Sequence, residues 1–470
     1  MQRILSISAL ALAGIFYAGA ETIEVLPGSL ADAIPSLKGA SEIILTGKAD
    51  VRDLSMLRDL EVAPDATLDL SQLSVAELNS ENPAYLGKSY FKENFFPSYV
   101  LFKSRFNKVI LPKGVKILEA GALAGSEISE ITIPEGVTSI GDYAFYGCKR
   151  LTTVNLPNSL VSIGKGAFSN CPSLKSVNLE NSSVSAIPAS CFAGDAALTS
   201  LNLESIMSVG SEAFSGTSIK SVVLPQATYL APYALADMPS LREAIINNEA
   251  EVSEGTLMNN ASLVALEGVP EHIPALFAAN CTQYIPAEII TEASTIGEYA
   301  FAGTPVSDIV LGSGLTTVDA GAFKNAAALN HIDATALESS VPEADTSAFA
   351  EINPAEVRLK VADNTEAAWR EHPVWGLFDI YTSQSTGIND ITADTSTADA
   401  ISVTLNGNIL RVNAPEAIES VGVHDLSGAL LLSLPAGDTV SEADVTSLLS
   451  GVLIVSVKAG KARKGVKIIL

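Results

Sequence analysis

Between residues 96 and 350 the apolar positions recur on two scales. In LTTVNLP, residues 151–157, Val154 and Leu156 alternate with Thr153 and Asn155. A strand turns such a pair of sets to opposite faces, so the pattern predicts a short strand with the apolar pair inward. The longer scale is set by an apolar anchor: Phe102, Leu123, Phe145, Phe168, Phe192, Phe214, Leu235, Leu257, Phe277, Phe301, Phe323 and Phe349, spaced 20 to 26 residues apart. After many anchors comes a second signature, as in Leu151-x-x-Val154-x-Leu156, Leu174-x-x-Val177-x-Leu179 and Leu198-x-x-Leu201-x-Leu203. Pro134, Pro157 and Pro225 stop the strands, and Gly141 or Gly164 is expected to let the chain bend. Ile140, Ala144 and Phe145 supply the opposite wall. One unit buries nothing securely; stacked units share a core. At ~4.8 Å per strand, twelve turns extend about 55 Å.

The prediction is therefore a repeat solenoid with short parallel strands along one face and irregular or short helical convex turns on the other. Leu-x-x-Leu-x-Leu at this pitch is a leucine-rich repeat signature. The fuller pattern I-G-x-x-A-F-x-x-C-x-x-L-x-x-V-x-L-P resembles the BspA-like leucine-rich repeats of bacterial surface proteins, over residues 96–350. Units anchored at Leu235, Leu257 and Phe277 lose the Ile-Gly element and the terminal Leu-Pro, so irregular turns are expected between 226 and 294. The resemblance implies an adhesin-like protein that works by protein binding.

The flanking segments depart from the period. Residues 1–20, MQRILSISALALAGIFYAGA, carry one Arg, a short apolar run and an Ala-x-Ala end, the pattern of a signal peptide. Residues 21–95 are read as an N-terminal cap region with a short helix near Asp53 to Leu60, and 351–381 as a C-terminal cap holding Trp369 and Trp375. That tryptophan pair serves either to close the core or as a sugar-stacking platform. Residues 382–400 have the composition of a linker. From 401 to 470 the pattern becomes short alternating runs with turns at Asn406-Gly407 and Ser427-Gly428, predicting a small all-β sandwich. Asp425 to Gly428, Leu448 to Val457 and the basic strand Lys464 to Ile469 resemble the C-terminal sorting domain of the type IX secretion system of Bacteroidota, with Leu453 where an aromatic is usual. Contact with secretion machinery via residues 401–470 is what that resemblance implies; lysines that merely protect a strand edge are the alternative.

Charge narrows the partners. Lys and Arg number 28 against 53 Asp and Glu, which disfavours nucleic acid and simple docking on anionic lipid. No transmembrane segment follows the leader. The expected location is secreted or cell surface, on the outer face of a Gram-negative envelope. Cys148 and Cys171 hold the same place in successive units, as a bridge or as aligned buried thiols. No C-x-x-C or C-x-x-H pair points to zinc, and His272, His331, His372 and His424 share no motif. Glu130, Asp308 and Asp333 occupy equivalent places in their own turns, which does not make a carboxylate pair. No enzyme and no cofactor are expected.

The outward strand positions carry the binding expectation: Thr153, Asn155, Ser176, Asn178, Ser200, Asn202 and Ser221 form a flat Ser/Thr/Asn run suited to hydrogen-bonding an extended partner. An extracellular host or bacterial surface protein is the first reading. A glycan is the second, with Tyr85, Tyr90, Phe91, Phe95 and Phe96 as its aromatic candidates; a repeat-scaffold enzyme is the third.

Overall fold

The structure, a computed structural model, describes residues 4–5, 19–76, 94–268, 270–284, 286–382, 401–406, 409–424, 430–434, 437–445, 448, 452–459 and 462–469. Most of the leader, the linker from 383 onward, and Tyr85, Tyr90 and Phe91 lie outside them. Two compact units are present, one of Met1–Leu359 with Ala367–Asp379 and one of Lys360–Glu366 with Ile380–Leu470.

The first unit is a parallel-strand solenoid. Thr153–Asn155 pairs in register with Glu130–Thr132 on one side and Ser176–Asn178 on the other. Val154 is fully buried and Leu156 nearly so, while Thr153 and Asn155 are exposed, as the period of two requires. Ala20–Val25, Glu42–Ala49 and Thr67–Val75 belong to this same parallel sheet, although their sequences depart from the repeat template. Their strands are six to nine residues long, which stretches the unit and hides its period. The short helix of this region is Val51–Met56, closed by a capping box between Asp50 and Asp53.

The second face carries two-residue parallel strands between its irregular turns: Phe95–Phe96, Ile117–Leu118, Ser139–Ile140 and Ser162–Ile163 form one such ladder. Two expectations change. Residues 226–294 remain largely regular, with Glu243–Ile246 paired to Ser221–Leu224 and Ala265–Glu267; the helix Ala287–Glu292 is the local departure. The glycine of the Ile-Gly element is not a bend residue. Gly141, Gly164, Gly210 and Gly297 are absent from the left-handed region, and a Cβ on each would lie 2.5–2.7 Å from backbone of the preceding turn (Ala120 N, Gly141 C, Pro188 C, Ala275 N). Close approach of two backbones is what excludes a side chain there.

The anchor register also moves at two turns. Phe145 N donates to Ala167 O, and Leu123 N to Ala144 O; the equivalent donors are Leu101, to Ala122 O, and Ala278, to Ala300 O. The anchors are thus Leu101 and Ala278, not their neighbours Phe102 and Phe277. Each anchor from Leu101 to Phe323 is framed by left-handed residues two before and two after, such as Tyr143 and Gly147 (φ 55° and 70°) or Leu276 and Asn280 (φ 57° and 61°). Phe102 is consequently half-exposed. Phe277 stays buried but meets Phe301 edge-on at 6.3 Å, whereas Phe145 and Phe168 stack at 5.2 Å with an interplanar angle of 2°.

Trp369 and Trp375 are fully buried and packed edge-on to each other at 5.4 Å, and Trp375 Nε1 donates to Pro342 O at 2.8 Å. With Phe349 and Phe378 against Trp375, the pair closes a core and offers no sugar platform.

The second unit has two antiparallel sheets. Ser402–Asn406 pairs with Ile409–Asn413, the predicted hairpin, and Ile409–Asn413 with Val440–Asp444. The other sheet runs Leu430–Leu434, Ile418–His424, Val452–Ala459, Ala462–Ile469. Leu410, Val412, Val421, Val423, Val455 and Val457 form a single buried cluster. The Asp425 to Gly428 turn lies outside the described residues.

Candidate functional site: the polar strand face

Four of the seven outward residues come together as a patch. Thr153 stands beside Ser176 and Asn155 beside Asn178, and Ser176 Oγ lies 3.5 Å from Thr153 Oγ1. Glu130 and Thr132 extend the rows on one side, with Glu130 ion-paired to Lys108 at 3.6 Å. On the other side the sheet stops: Ser200 and Asn202 are exposed but lie on unpaired chain, and Ser221 opens a separate sheet. Ser221 Oγ donates to Glu243 Oε2 at 3.2 Å. The expected continuous run is therefore two patches with Ser200 and Asn202 between them.

The asparagines also have a structural task. Asn178 Oδ1 accepts Glu180 N–H at 3.1 Å and Asn202 Oδ1 accepts Glu204 N–H at 3.0 Å, turning the chain after each asparagine. That use consumes the carbonyl half of each amide. Among the described residues neither Nδ2 has a protein partner, so the face presents fixed N–H donors.

Cys148 and Cys171, expected as a bridge or as aligned buried thiols, belong to a longer buried row whose other members the sequence reading did not single out. Three residues after successive anchors stand Ser126, Cys148, Cys171, Asp195, Thr217, Asn260, Cys281 and Thr304, all buried. Cys148, Cys171 and Cys281 each donate Sγ–H to the carbonyl of an anchor residue in the preceding turn (Leu123, Phe145 and Leu257, 3.1–3.2 Å). The thiols are unbridged. Burial pushes Cys281 up to about 12, and the contact with Cys148 together with burial raises Cys171, so neither supplies a thiolate nucleophile. Burial likewise raises Asp195 to about 9. The signal for this row is its fixed offset from the anchor, with every occupant but Met238, Ala326 and Ile352 carrying a polar or thiol group.

Among the described residues, the carboxylates and histidines singled out in the sequence do not gather at one place. Asp308 pairs with His331 at 3.5 Å, while Asp333 sits beside Val310 and Glu130 lies in another sheet. His272 Nδ1 approaches Ser294 Oγ at 3.0 Å, but that hydroxyl donates to Glu271 O. No group of three or more His, Cys, Asp or Glu among the described residues is arranged to hold a metal, and none of their helices is long and apolar enough to cross a membrane. Of the aromatic candidates, Phe96 is buried and Phe95 half-buried.

Comparison with known proteins agrees with this geometry. A BspA type leucine rich repeat region matches residues 116–242 and 272–365, in six copies. No curated protein sequence matches the chain. Among solved structures, a leucine-rich repeat protein from Bacteroides ovatus is similar at 20% identity and a TM-score of 0.55, covering 77% of this chain and 83% of that one. The pneumococcal vaccine antigen PcpA (18% identity, TM-score 0.37, 59% and 80% covered) and a leucine rich cell surface protein from Faecalibacterium prausnitzii (21%, 0.32, 53% and 84%) also match. Residues 116–242 and 272–365 are thus similar to the BspA type leucine rich repeat region, and the chain shares its fold with the Bacteroides ovatus leucine-rich repeat protein.

Proposed function

We propose that the protein is exported to the cell surface and acts there, adhesin-like, by binding an extracellular host or bacterial surface protein through the polar strand face. The observation that carries this reading is the aligned pair of rows Thr153–Ser176 and Asn155–Asn178, exposed, in register and lacking large side chains. An extended segment laid along such rows meets donors at one strand spacing after another. The leader-like residues 1–20 and the sorting-type pattern of 401–470 support export and surface attachment.

The test uses the full mature chain against extracellular-matrix extract and intact bacterial cells, with the variant Asn155→Ala/Asn178→Ala/Asn202→Ala beside it. Three lost hydrogen bonds are expected to weaken capture by on the order of ten-fold or more. Capture that is unchanged in a folded variant would move the contact off this face.

A further inference from the structure

The array is electrically divided. Residues 99–175 hold nine Lys and Arg against five Asp and Glu, whereas residues 176–350 hold three against twenty. Among the described residues the basic stretch also carries three of the four exposed rings, the fourth being Tyr229. Tyr99 (48% exposed), Tyr143 (37%) and Tyr146 (43%) stand out, with Phe102 half-exposed. These rings share one corner of the solenoid. Tyr99 and Tyr143 lie two residues before their anchors and Phe102 and Tyr146 one after, so the two turns present the same pair, each edge-to-face at 5.9 Å. The turn between them offers only Gly121 and Ala124 at these places. Each tyrosine is held by its left-handed backbone (φ 52° and 55°) and packs over the glycine of the next turn, Tyr99 over Gly121 and Tyr143 over Gly166. Their rings are thus positioned before any ligand arrives.

Around the rings are exposed cations. Lys103 sits 5.0 Å above the Phe102 ring, and Lys149 and Lys165 flank the Tyr143 turn. Among the described residues these three make no ion pair, whereas Arg150 is engaged by Asp65 at 2.9 Å and Glu127 at 3.9 Å.

We propose that this corner binds an anionic polysaccharide, its sugar rings lying on the aromatic pairs and its carboxylate or sulfate groups beside Lys103, Lys149 and Lys165. Pyranose C–H faces suit aromatic rings, and preset tyrosines lose little entropy on contact. Two turns are ~10 Å apart, commensurate with alternate residues of an extended glycan. A protein hot spot would need a desolvated pocket for an anchor side chain, and this corner is an open row. The local excess of positive charge, set in a strongly acidic chain, selects an anionic glycan over a neutral one.

The full mature chain is to be run by affinity electrophoresis in gels containing heparin, polygalacturonate, neutral dextran or polyglutamate, at low and high salt. Retardation is expected by heparin, by polygalacturonate or by both, the first marking sulfate and the second carboxylate recognition. Screening by salt should weaken it. Tyr146→Ala, Lys149→Glu/Lys165→Glu, and Tyr143→Ala/Tyr146→Ala are each expected to cut retardation at least about five-fold, converted to at least ~1 kcal/mol. Tyr146→Ala leaves the Gly166 packing untouched and so keeps the test valid if Tyr143→Ala unfolds. Absence of retardation by both polyanions, equal retardation by dextran or polyglutamate, or full retardation of the folded Tyr146→Ala protein would each overturn the proposal. The strand-face variant Asn155→Ala/Asn178→Ala/Asn202→Ala should retain polyanion binding, so the two surfaces are tested separately.

Discussion

Asp195→Asn is expected to stabilise the solenoid at neutral and alkaline pH and to flatten its pH–stability profile. Asp195 is fully buried, and its Oδ1 accepts Cys171 N–H at 2.7 Å while Oδ2 has no hydrogen-bond partner. Burial raises its pKa from 3.8 to about 9, so the folded protein carries it as the neutral acid at pH 7. In the unfolded chain the same carboxyl ionises near its ordinary value. Below that value both states are protonated and the group contributes no pH dependence. Between about pH 4 and pH 9 the folded state holds the extra proton, and stability falls as pH rises. The loss is on the order of 4 kcal/mol by pH 7 and levels off above the folded pKa. Asn260 shows what an amide does at the equivalent place. Its Oδ1 accepts Met238 N–H and its Nδ2 donates to Leu235 O and Leu257 O, all at 2.8 Å. An amide at 195 keeps the bond to Cys171 N–H and has no proton to lose. Urea midpoints at pH 5, 7 and 9 check this: the variant should gain on the native protein progressively with pH. A variant less stable at pH 9, or a difference independent of pH, would show that Asp195 is ionised in the fold.

The same row shows what the sequence could and could not disclose. The inner and outer sets of Val154, Leu156, Thr153 and Asn155 were legible because a period of two inside a longer repeat is a local pattern. The sandwich of 401–470 was legible for the same reason, its hairpin being marked by Asn406-Gly407. Anchor register was not legible at Leu101 and Ala278, because an adjacent phenylalanine is the stronger apolar signal. What decides there is left-handed backbone two residues either side, and Tyr99, Lys103 or Leu276 at those places gives no glycine to read. Second-face strands of two residues are too short to show alternation. The polar strand rows were correctly turned outward, but the break at Ser200 and Asn202 depends on pairing between turns, which no single unit encodes. The aromatic corner was missed because Tyr99, Phe102, Tyr143 and Tyr146 are dispersed in sequence and gathered only by stacking. Local aromatic density pointed instead to the stretch around Phe95 and Phe96, of which Phe96 belongs to the core.

Gly164→Ala is expected to cost about 2–3 kcal/mol, the range for forcing volume into a packed site whose neighbour cannot yield. A Cβ at 164 would lie 2.5 Å from the carbonyl carbon of Gly141, and that neighbour is fixed: Gly141 N donates to Leu118 O at 2.7 Å, and Lys165 N donates to Asp142 Oδ1 at 2.8 Å across the same contact. Gly314, where nothing lies within 4 Å of an added Cβ, is the control and should change by less than about 0.5 kcal/mol on substitution by Ala. The pair separates two roles for glycine. Gly164 does not occupy the left-handed region, so if it served only as a bend, alanine would be accepted and would even restrict the unfolded chain favourably. If it serves as the contact between backbones, the loss appears in the urea midpoint. In a solenoid whose turns hold only their neighbours, that loss should begin locally, with amide protection falling first in the turns on either side of residue 164. A midpoint for Gly164→Ala equal to that for Gly314→Ala would mean that the turns can separate there, and the 2.5 Å approach would no longer explain the recurrence of Ile-Gly at 140–141, 163–164 and 296–297.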